Sequence, residues 1–130
     1  AIGGEGSGGV IFPALHHMRD ALAGIGLILS HLAAAGGTMS ELRASLPAYT
    51  IRKTSIRAEG RDTAKLLGSL ADRFSTEARC NRDDGLKFDF DDGWVHLRRS
   101  NTEPIVRIIA EARTGAAADA LLERFRNELS

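Results

Sequence analysis

The stretch Leu86-Lys87-Phe88-Asp89-Phe90-Asp91-Asp92-Gly93-Trp94-Val95-His96-Leu97-Arg98 has the pattern of two strands joined by a tight turn. Apolar and polar side chains alternate along residues 86–90, which is the period of a strand that buries one face. We predict that residues 91–93 form the turn, with the Asp-Gly pair supplying positive φ angles. Alternate side chains of the return strand then point to opposite faces: Val95 and Leu97 to one, Trp94, His96 and Arg98 to the other.

Around this hairpin, the same half of the chain supplies further strands and two helices. Residues 105–112 are predicted to form a third strand, and residues 49–58 a strand or an extended connector. Apolar residues recur at helical spacing in two segments, one after Asp62 and one after Thr114: Leu66, Leu67, Leu70, Ala71 and Phe74, then Ala118, Leu121, Leu122, Phe125 and Leu129. The order β-α-β-β-β-α predicts an antiparallel sheet with helices on one face, an α+β fold.

The first 48 residues have a different pattern, and we place a division of the chain near residue 48. A short strand at residues 10–12 precedes a helix over residues 21–35, for which Asp20 is a suitable N-cap. A capping box begins at Thr38 and opens a second short helix. The first helix is apolar on nearly all sides, so we expect it to be buried in a layered fold. Its glycines at 24 and 26 suggest that another backbone packs closely there.

Composition excludes several classes of function. The 130 residues carry 17 Lys and Arg against 17 Asp and Glu, which argues against a general nucleic-acid-binding protein. The most apolar stretch, residues 21–35, is too short to span a bilayer. The single cysteine, Cys80, rules out an intramolecular disulfide framework and fits a reducing compartment. We therefore expect a cytoplasmic protein with no nucleic-acid or membrane partner. Because the chain begins without Met, we expect it to be a piece of a larger protein.

The most informative segment follows the return strand and is dense in groups that bind anions. Arg98 can donate a forked pair of hydrogen bonds to phosphate oxygens. Ser100 and Thr102 add hydroxyl donors, and Asn101 can adopt a left-handed conformation that turns successive amides toward one point. A polar surface turn accounts for this composition equally well. The residue types alone leave both interpretations open.

The order of the residues favours the phosphate site. The segment Arg98-Arg99-Ser100-Asn101-Thr102-Glu103-Pro104 resembles the phosphate-binding loop R-x-S-[NG]-T-x-P of the α-D-phosphohexomutases. This family includes phosphomannomutase/phosphoglucomutase and phosphoglucosamine mutase. The segment Gly4-Glu5-Gly6-Ser7-Gly8-Gly9 resembles the family's sugar-specificity loop, G-E-x-S-G-H.

By itself, the glycine-rich segment has two other interpretations. It is typical of a flexible linker, and it matches G-x-G-x-x-G, the weak form of the dinucleotide fingerprint. The second interpretation fails on context, because the strand-like residues 10–12 and Pro13 follow where a helix must begin.

The family resemblance implies roles for individual residues. Glu5 and Ser7 would hydrogen-bond hydroxyls of the hexose ring. The loop residues Arg98, Ser100, Asn101 and Thr102 would hold the phosphate that is not transferred, with Arg107 nearby. This sequence departs from the family pattern at Gly9, where many members have a histidine that is a proposed helper in proton transfer.

The resemblance also implies a domain organisation and a parent enzyme. Residues 1–48 would be the end of the family's third, sugar-binding domain. Residues 49–130 would be its fourth, phosphate-binding domain, which has a fold like that of the TATA-box-binding protein. The family's phosphorylated serine and its D-x-D-x-D magnesium loop do not occur in this sequence. We therefore expect no catalytic residue and no metal ligand in this chain, with Mg²⁺ and a hexose 1,6-bisphosphate activator bound elsewhere in the parent enzyme.

The sequence leaves two functions open. The first is the C-terminal fragment of a phosphohexomutase that interconverts hexose 1-phosphate and hexose 6-phosphate. Its partners would be the phosphohexose substrate and the upstream domains of the same polypeptide, and the fragment would be inactive alone. The second is a non-catalytic sugar-phosphate-binding or regulatory module with the same fold.

Overall fold

A computed structural model of the chain describes residues 1–4 and 8–129. The chain divides into two compact units, Ala1–Pro47 and Ala48–Ser130. Unit 1 contains two short strands that pair antiparallel, followed by two helices: β1 (Gly3–Gly4), β2 (Val10–Ile11), α1 (Ala21–Ala35) and α2 (Met39–Ser45). The Asp20 carboxylate caps α1 by accepting from the Ala23 amide, and Thr38 and Glu41 form the predicted capping box of α2.

Helix α1 is far more exposed than its composition predicts. Leu22 is 80% exposed and Leu29 is 59% exposed, and Gly24 is the buried residue of the helix. A Cβ at Gly24 would lie 3.0 Å from Val10 Cγ2, whereas a Cβ at Gly26 would meet nothing within 4 Å. The expectation of a buried helix is therefore wrong for this chain, because two strands of two residues each offer too little surface to cover four turns.

No single described helix is long and apolar enough to cross a membrane. Helices α1 and α2 taken together have the length and apolar composition of a membrane span, but the pair is bent by 89°.

Unit 2 is an α+β fold built on one sheet. Its elements follow in the order β3 (Thr50–Arg57), α3 (Thr63–Arg73), β4 (Arg79–Asn81), β5 (Leu86–Phe90), β6 (Gly93–Arg99), β7 (Ile105–Ala112) and α4 (Gly115–Leu129). The five strands pair antiparallel in the spatial order β3-β7-β6-β5-β4. The predicted fold class is confirmed, and the segment at 50–57 is a strand. Strand β4 is an element that the sequence did not predict.

One face of the sheet and the two helices enclose the core. The rings of Phe74, Phe88 and Phe125 lie 4.8–5.5 Å apart between centroids and join α3, β5 and α4. Leu97 and Ile108 add fully buried side chains from the central strands. Because side chains alternate along a strand, the residues between these buried positions face the other side of the sheet. That second face, which we call the open face, carries most of the charged side chains of the central strands.

The turn between β5 and β6 differs from its prediction. Phe90 pairs with Gly93, so the turn consists of Asp91 and Asp92. No residue of the turn, nor Gly93, has a positive φ angle. Glycine is required at 93 for a different reason. A Cβ there would lie 2.3 Å from the Glu111 carbonyl oxygen on the neighbouring strand β7.

A methyl group at this position tests the close approach. We expect Gly93→Ala to lower the free energy of unfolding by about 1–3 kcal/mol, since the new Cβ would force the backbones of β6 and β7 apart. The matched control is Gly68→Ala inside α3, where a Cβ would meet nothing within 4 Å. That variant should be more stable than wild type by about 0.5–1 kcal/mol. Urea unfolding followed by circular dichroism measures the stability of both variants. A Gly93→Ala variant as stable as wild type would contradict the close approach of β6 and β7 at this position.

Candidate functional site

The connection between β6 and β7 is a five-residue loop, residues 100–104, whose ends are tied by backbone hydrogen bonds. The Ser100 amide donates to the Ile105 carbonyl oxygen at 3.0 Å. The Pro104 carbonyl oxygen accepts from the Ala58 amide at 2.8 Å, which fastens the loop to the chain just beyond β3. The loop therefore starts and ends on a fixed frame, although its side chains face solvent.

Two arginines of the open face stand directly opposite each other where the strands enter and leave this loop. The register of β6 and β7 pairs Arg98 with Arg107, and such cross-strand neighbours have Cβ atoms roughly 5 Å apart. Each guanidinium has an acid beside it. Arg98 Nε lies 3.2 Å from Asp84 Oδ1, and Arg107 Nη2 lies 3.9 Å from Glu103 Oε2. All four side chains are more than half exposed.

The hydroxyls of the loop lie close to each other. Ser100 Oγ and Thr102 Oγ1 are 3.4 Å apart, and the Thr102 amide is also 3.4 Å from Ser100 Oγ. Asn101 does not have the left-handed conformation expected for it, because no described residue other than glycine has a positive φ angle. The predicted nest of amides is therefore not formed. The Thr102 amide instead has Ser100 Oγ as a neighbour.

Two small cavities flank the loop. One, of 230 Å³, is lined by Arg98 and Asn101 together with Asp84 and Gly85. The other, of 160 Å³, is lined by Ser100. Arg99 borders both, although sequence analysis gave it no role. The structure thus brings Arg98 and Asn101 to one cavity and places Ser100 on its neighbour.

The other two predicted donors, Thr102 and Arg107, do not line either of these cavities. Thr102 Oγ1 lies 3.4 Å from Ser100 Oγ, and Arg107 pairs with Arg98 across the two strands.

The turn before β5 contains residues that sequence analysis treated only as turn formers. His96 Nε2 lies 2.5 Å from the Asp84 carbonyl oxygen, to which it donates. Gly85 has a φ angle of 77°, and a Cβ there would lie 2.4 Å from the Leu97 carbonyl oxygen. The hairpin register could have indicated this contact. Leu86 pairs with Leu97, so the next step along the two strands brings Gly85 opposite Arg98.

The sugar-loop residues Glu5 and Ser7 lie outside the residues that the structure describes. The strands on either side of them are described, and Gly4 pairs with Val10. This pairing brings together the two ends of the segment that resembles the sugar-specificity loop.

A second polar cluster lies on the open face, at the end of the sheet away from the loop. Lys87 forms an ion pair with Asp89, and the hydrogen bond that it donates holds the pKa of Asp89 below its ordinary value of 3.8. The Lys87 ammonium lies 5.2 Å from the Trp94 ring centroid, and Trp94 Nε1 donates to Glu111 Oε1 at 3.0 Å. Within the described residues, no group of three or more His, Cys, Asp or Glu side chains could hold a metal ion.

Comparison with known proteins identifies the family. Residues 55–128 match the family model of the phosphoglucomutase/phosphomannomutase C-terminal domain, and residues 1–49 match that of the alpha/beta/alpha domain III. The chain is 40% identical to a phosphoglucomutase/phosphomannomutase of Thermococcus kodakarensis over 94% of its own length and 27% of that protein. It is 33% identical to a phosphoglucosamine mutase of Herminiimonas arsenicoxydans, with 99% of this chain and 27% of that protein covered.

A solved structure shares the fold. The crystal structure of a phosphoglucomutase/phosphomannomutase family protein from Burkholderia thailandensis superposes with a TM-score of 0.70 and 28% identity. The match covers 98% of this chain and 27% of that one. The chain thus spans about a quarter of the length of these relatives. From the two domain models, the sequence identities and the shared fold, this chain belongs to the α-D-phosphohexomutase family and corresponds to its C-terminal portion.

Proposed function

We propose that residues 98–104, the end of β6 and the loop that follows it, bind the phosphate group of a hexose phosphate. The observation that carries this proposal is the pairing of Arg98 directly opposite Arg107 at the mouth of the loop. Like charges at directly opposed strand positions destabilise a sheet. A bound phosphate dianion would reverse that penalty, because it attracts both guanidinium groups.

Charge and donor geometry support the same conclusion. Three arginines, Arg98, Arg99 and Arg107, surround the loop against two acids at its rim, so an excess of positive charge remains near the hydroxyls. Arg98 suits phosphate best, since the planar guanidinium can donate two parallel hydrogen bonds to one anion. The hydroxyls of Ser100 and Thr102 can rotate to donate to the remaining oxygens. Asn101 borders the cavity of Arg98 and adds an amide donor.

This chain would supply substrate-binding residues to a reaction whose chemical groups lie in other domains of the parent enzyme. The parent enzyme would interconvert hexose 1-phosphate and hexose 6-phosphate in the cytoplasm. Glu5 and Ser7 would hydrogen-bond the hexose hydroxyls. The phosphate that is not transferred would be held by Arg98, Ser100, Asn101, Thr102 and Arg107. Residues 1–48 would serve as the sugar-binding portion and residues 49–130 as the phosphate-binding domain. The phosphoserine, Mg²⁺ and the bisphosphate activator would be held by upstream domains.

This division of labour has a consequence for the chain by itself. Phosphoryl transfer needs a donor group and stabilisation of the developing charge, and neither is assigned to residues of this chain. The chain alone would therefore bind hexose phosphate without turning it over. Full affinity in the enzyme would require a cleft closed by several domains, so tight binding by this chain alone would favour the non-catalytic binding module instead.

Removal of the Arg98 guanidinium tests the proposed phosphate site. Titration of the chain with glucose 6-phosphate should shift the backbone amide NMR signals of residues 98–102. We expect Arg98→Ala to weaken this binding by about 10- to 100-fold, the range for loss of charge-assisted hydrogen bonds. Arg79→Ala is the matched control, because Arg79 is 86% exposed and lies on the edge strand β4. An equal loss in both variants, or none in Arg98→Ala, would contradict the proposal.

The opposed arginines also predict a conflict between stability and function. In phosphate-free buffer at low ionic strength, Arg107→Gln should raise the free energy of unfolding by about 0.2–1 kcal/mol, because it removes a like charge opposite Arg98. The same variant should bind glucose 6-phosphate more weakly. The gain in stability should shrink at high salt, which screens exposed charges.

A second arginine serves as the control for this experiment. Arg52 pairs with Ala110 across the strands and forms an ion pair with Asp119 at 2.8 Å, so Arg52→Gln should bring no gain in stability. Urea unfolding at two salt concentrations measures both variants. A destabilised Arg107→Gln at low salt would show that the opposed arginines are not in conflict.

A further inference from the structure

We propose that Asp84 is a positioning residue for Arg98, and that the turn at residues 83–85 orients the guanidinium toward bound phosphate. This inference rests on the proposed function, since it concerns the same site. It adds residues that belong neither to the phosphate-loop motif nor to the segment that resembles the sugar loop.

The turn is fastened to three consecutive residues of β6. His96 Nε2 donates to the Asp84 carbonyl oxygen at 2.5 Å. Gly85 packs so closely on Leu97 that a Cβ would lie 2.4 Å from the Leu97 carbonyl oxygen. The third contact is the ion pair itself, in which Arg98 Nε lies 3.2 Å from Asp84 Oδ1. The carboxylate is thus presented to Arg98 by a backbone that is already held against the same strand.

The other end of the turn is also held. The Asp83 amide donates to Asn81 Oδ1 at 2.8 Å, and Asn81 Nδ2 donates to Asp83 Oδ2 at 3.0 Å. These two hydrogen bonds connect the turn to the end of β4. Asp83 and Asp84 are therefore adjacent acids with different roles, because the first closes the turn and the second faces Arg98.

The atom of Arg98 that lies nearest to Asp84 matters for its chemistry. A guanidinium has five N–H donors in a planar fork. Contact through Nε leaves the edge formed by Nη1 and Nη2 available for a bidentate anion. Both partners are more than half exposed, with 54% of Arg98 and 65% of Asp84 accessible, so the ion pair contributes little to the stability of the fold. Its effect is to reduce the conformational freedom that Arg98 must lose when an anion binds.

If Asp84 competed with phosphate for Arg98, its removal would have the opposite effect on phosphate affinity. A carboxylate that merely occupied the guanidinium would compete with phosphate, and its removal would strengthen binding. A carboxylate that positions the guanidinium assists phosphate, and its removal weakens binding. The sign of the change in affinity therefore separates the two roles.

The experiment uses the whole chain with inorganic phosphate as the ligand, followed by NMR. We expect Asp84→Ala to weaken phosphate binding by about 3- to 10-fold through lost preorganisation. The matched control is Asp119→Ala, which removes a similarly exposed carboxylate that pairs with Arg52 away from the loop and should bind phosphate as tightly as wild type. Equal or tighter binding by Asp84→Ala would overturn the inference.

A second measurement does not depend on binding. The heteronuclear NOE of the Arg98 Nε–Hε group reports whether the side chain is ordered on the picosecond-to-nanosecond timescale. It should be high in wild type and in Asp119→Ala, and it should fall in Asp84→Ala. An unchanged value in Asp84→Ala would overturn the positioning role even if affinity changed.

The two measurements also separate this inference from the proposed function. If neither phosphate nor glucose 6-phosphate binds to the wild-type chain, or if Arg98→Ala binds as well as wild type, the proposed function fails. The NOE comparison then still decides whether Asp84 orders Arg98. If Arg98→Ala abolishes binding and Asp84→Ala does not weaken it, the proposed function stands and this inference fails.

Discussion

The close approach of strand β6 to its neighbours is the constraint on which the rest of unit 2 depends. At one end of the strand, a Cβ on Gly93 would lie 2.3 Å from the Glu111 carbonyl oxygen. Beside its other end, a Cβ on Gly85 would lie 2.4 Å from the Leu97 carbonyl oxygen. Any larger side chain at either place would separate the strands. The two glycines therefore permit the register in which Arg98 faces Arg107 and adjoins Asp84.

The two faces of the sheet differ in role: one stabilises the fold, and the other carries the arginines of the proposed phosphate site. The helix-covered face carries the ring cluster of Phe74, Phe88 and Phe125, and burial of such side chains is the main favourable contribution to folding. The open face contributes little to that core, so it can carry opposed arginines at modest cost. Local conflicts of this kind are expected at sites shaped for a ligand rather than for stability.

The parts of the fold that could be predicted from the sequence are those with a strong local signal. The period-two alternation at residues 86–90 gives the hairpin, and the side chains of Asp20 and Thr38 mark the helix starts that the structure has. Strand β4 had too short a signal, because Arg79-Cys80-Asn81 alternates over only three residues and carries no β-branched residue. Its pairing with β5 decides its conformation. The exposure of α1 depends on which residues surround it, and periodicity carries no information about that.

For the candidate site too, the residue types could be predicted from the sequence, whereas the contacts that hold them in place could not. The letters of residues 98–104 indicate which groups suit a phosphate, yet they do not indicate what holds those groups. Arg98 and Arg99 have the same chemistry, and strand alternation separates them: Arg98 pairs with Arg107, whereas Arg99 pairs with the buried Val106. The proposed anion-binding role therefore falls to Arg98 because of register rather than residue type. Asp84 is fourteen positions earlier in the chain, and the same register brings it within reach of Arg98.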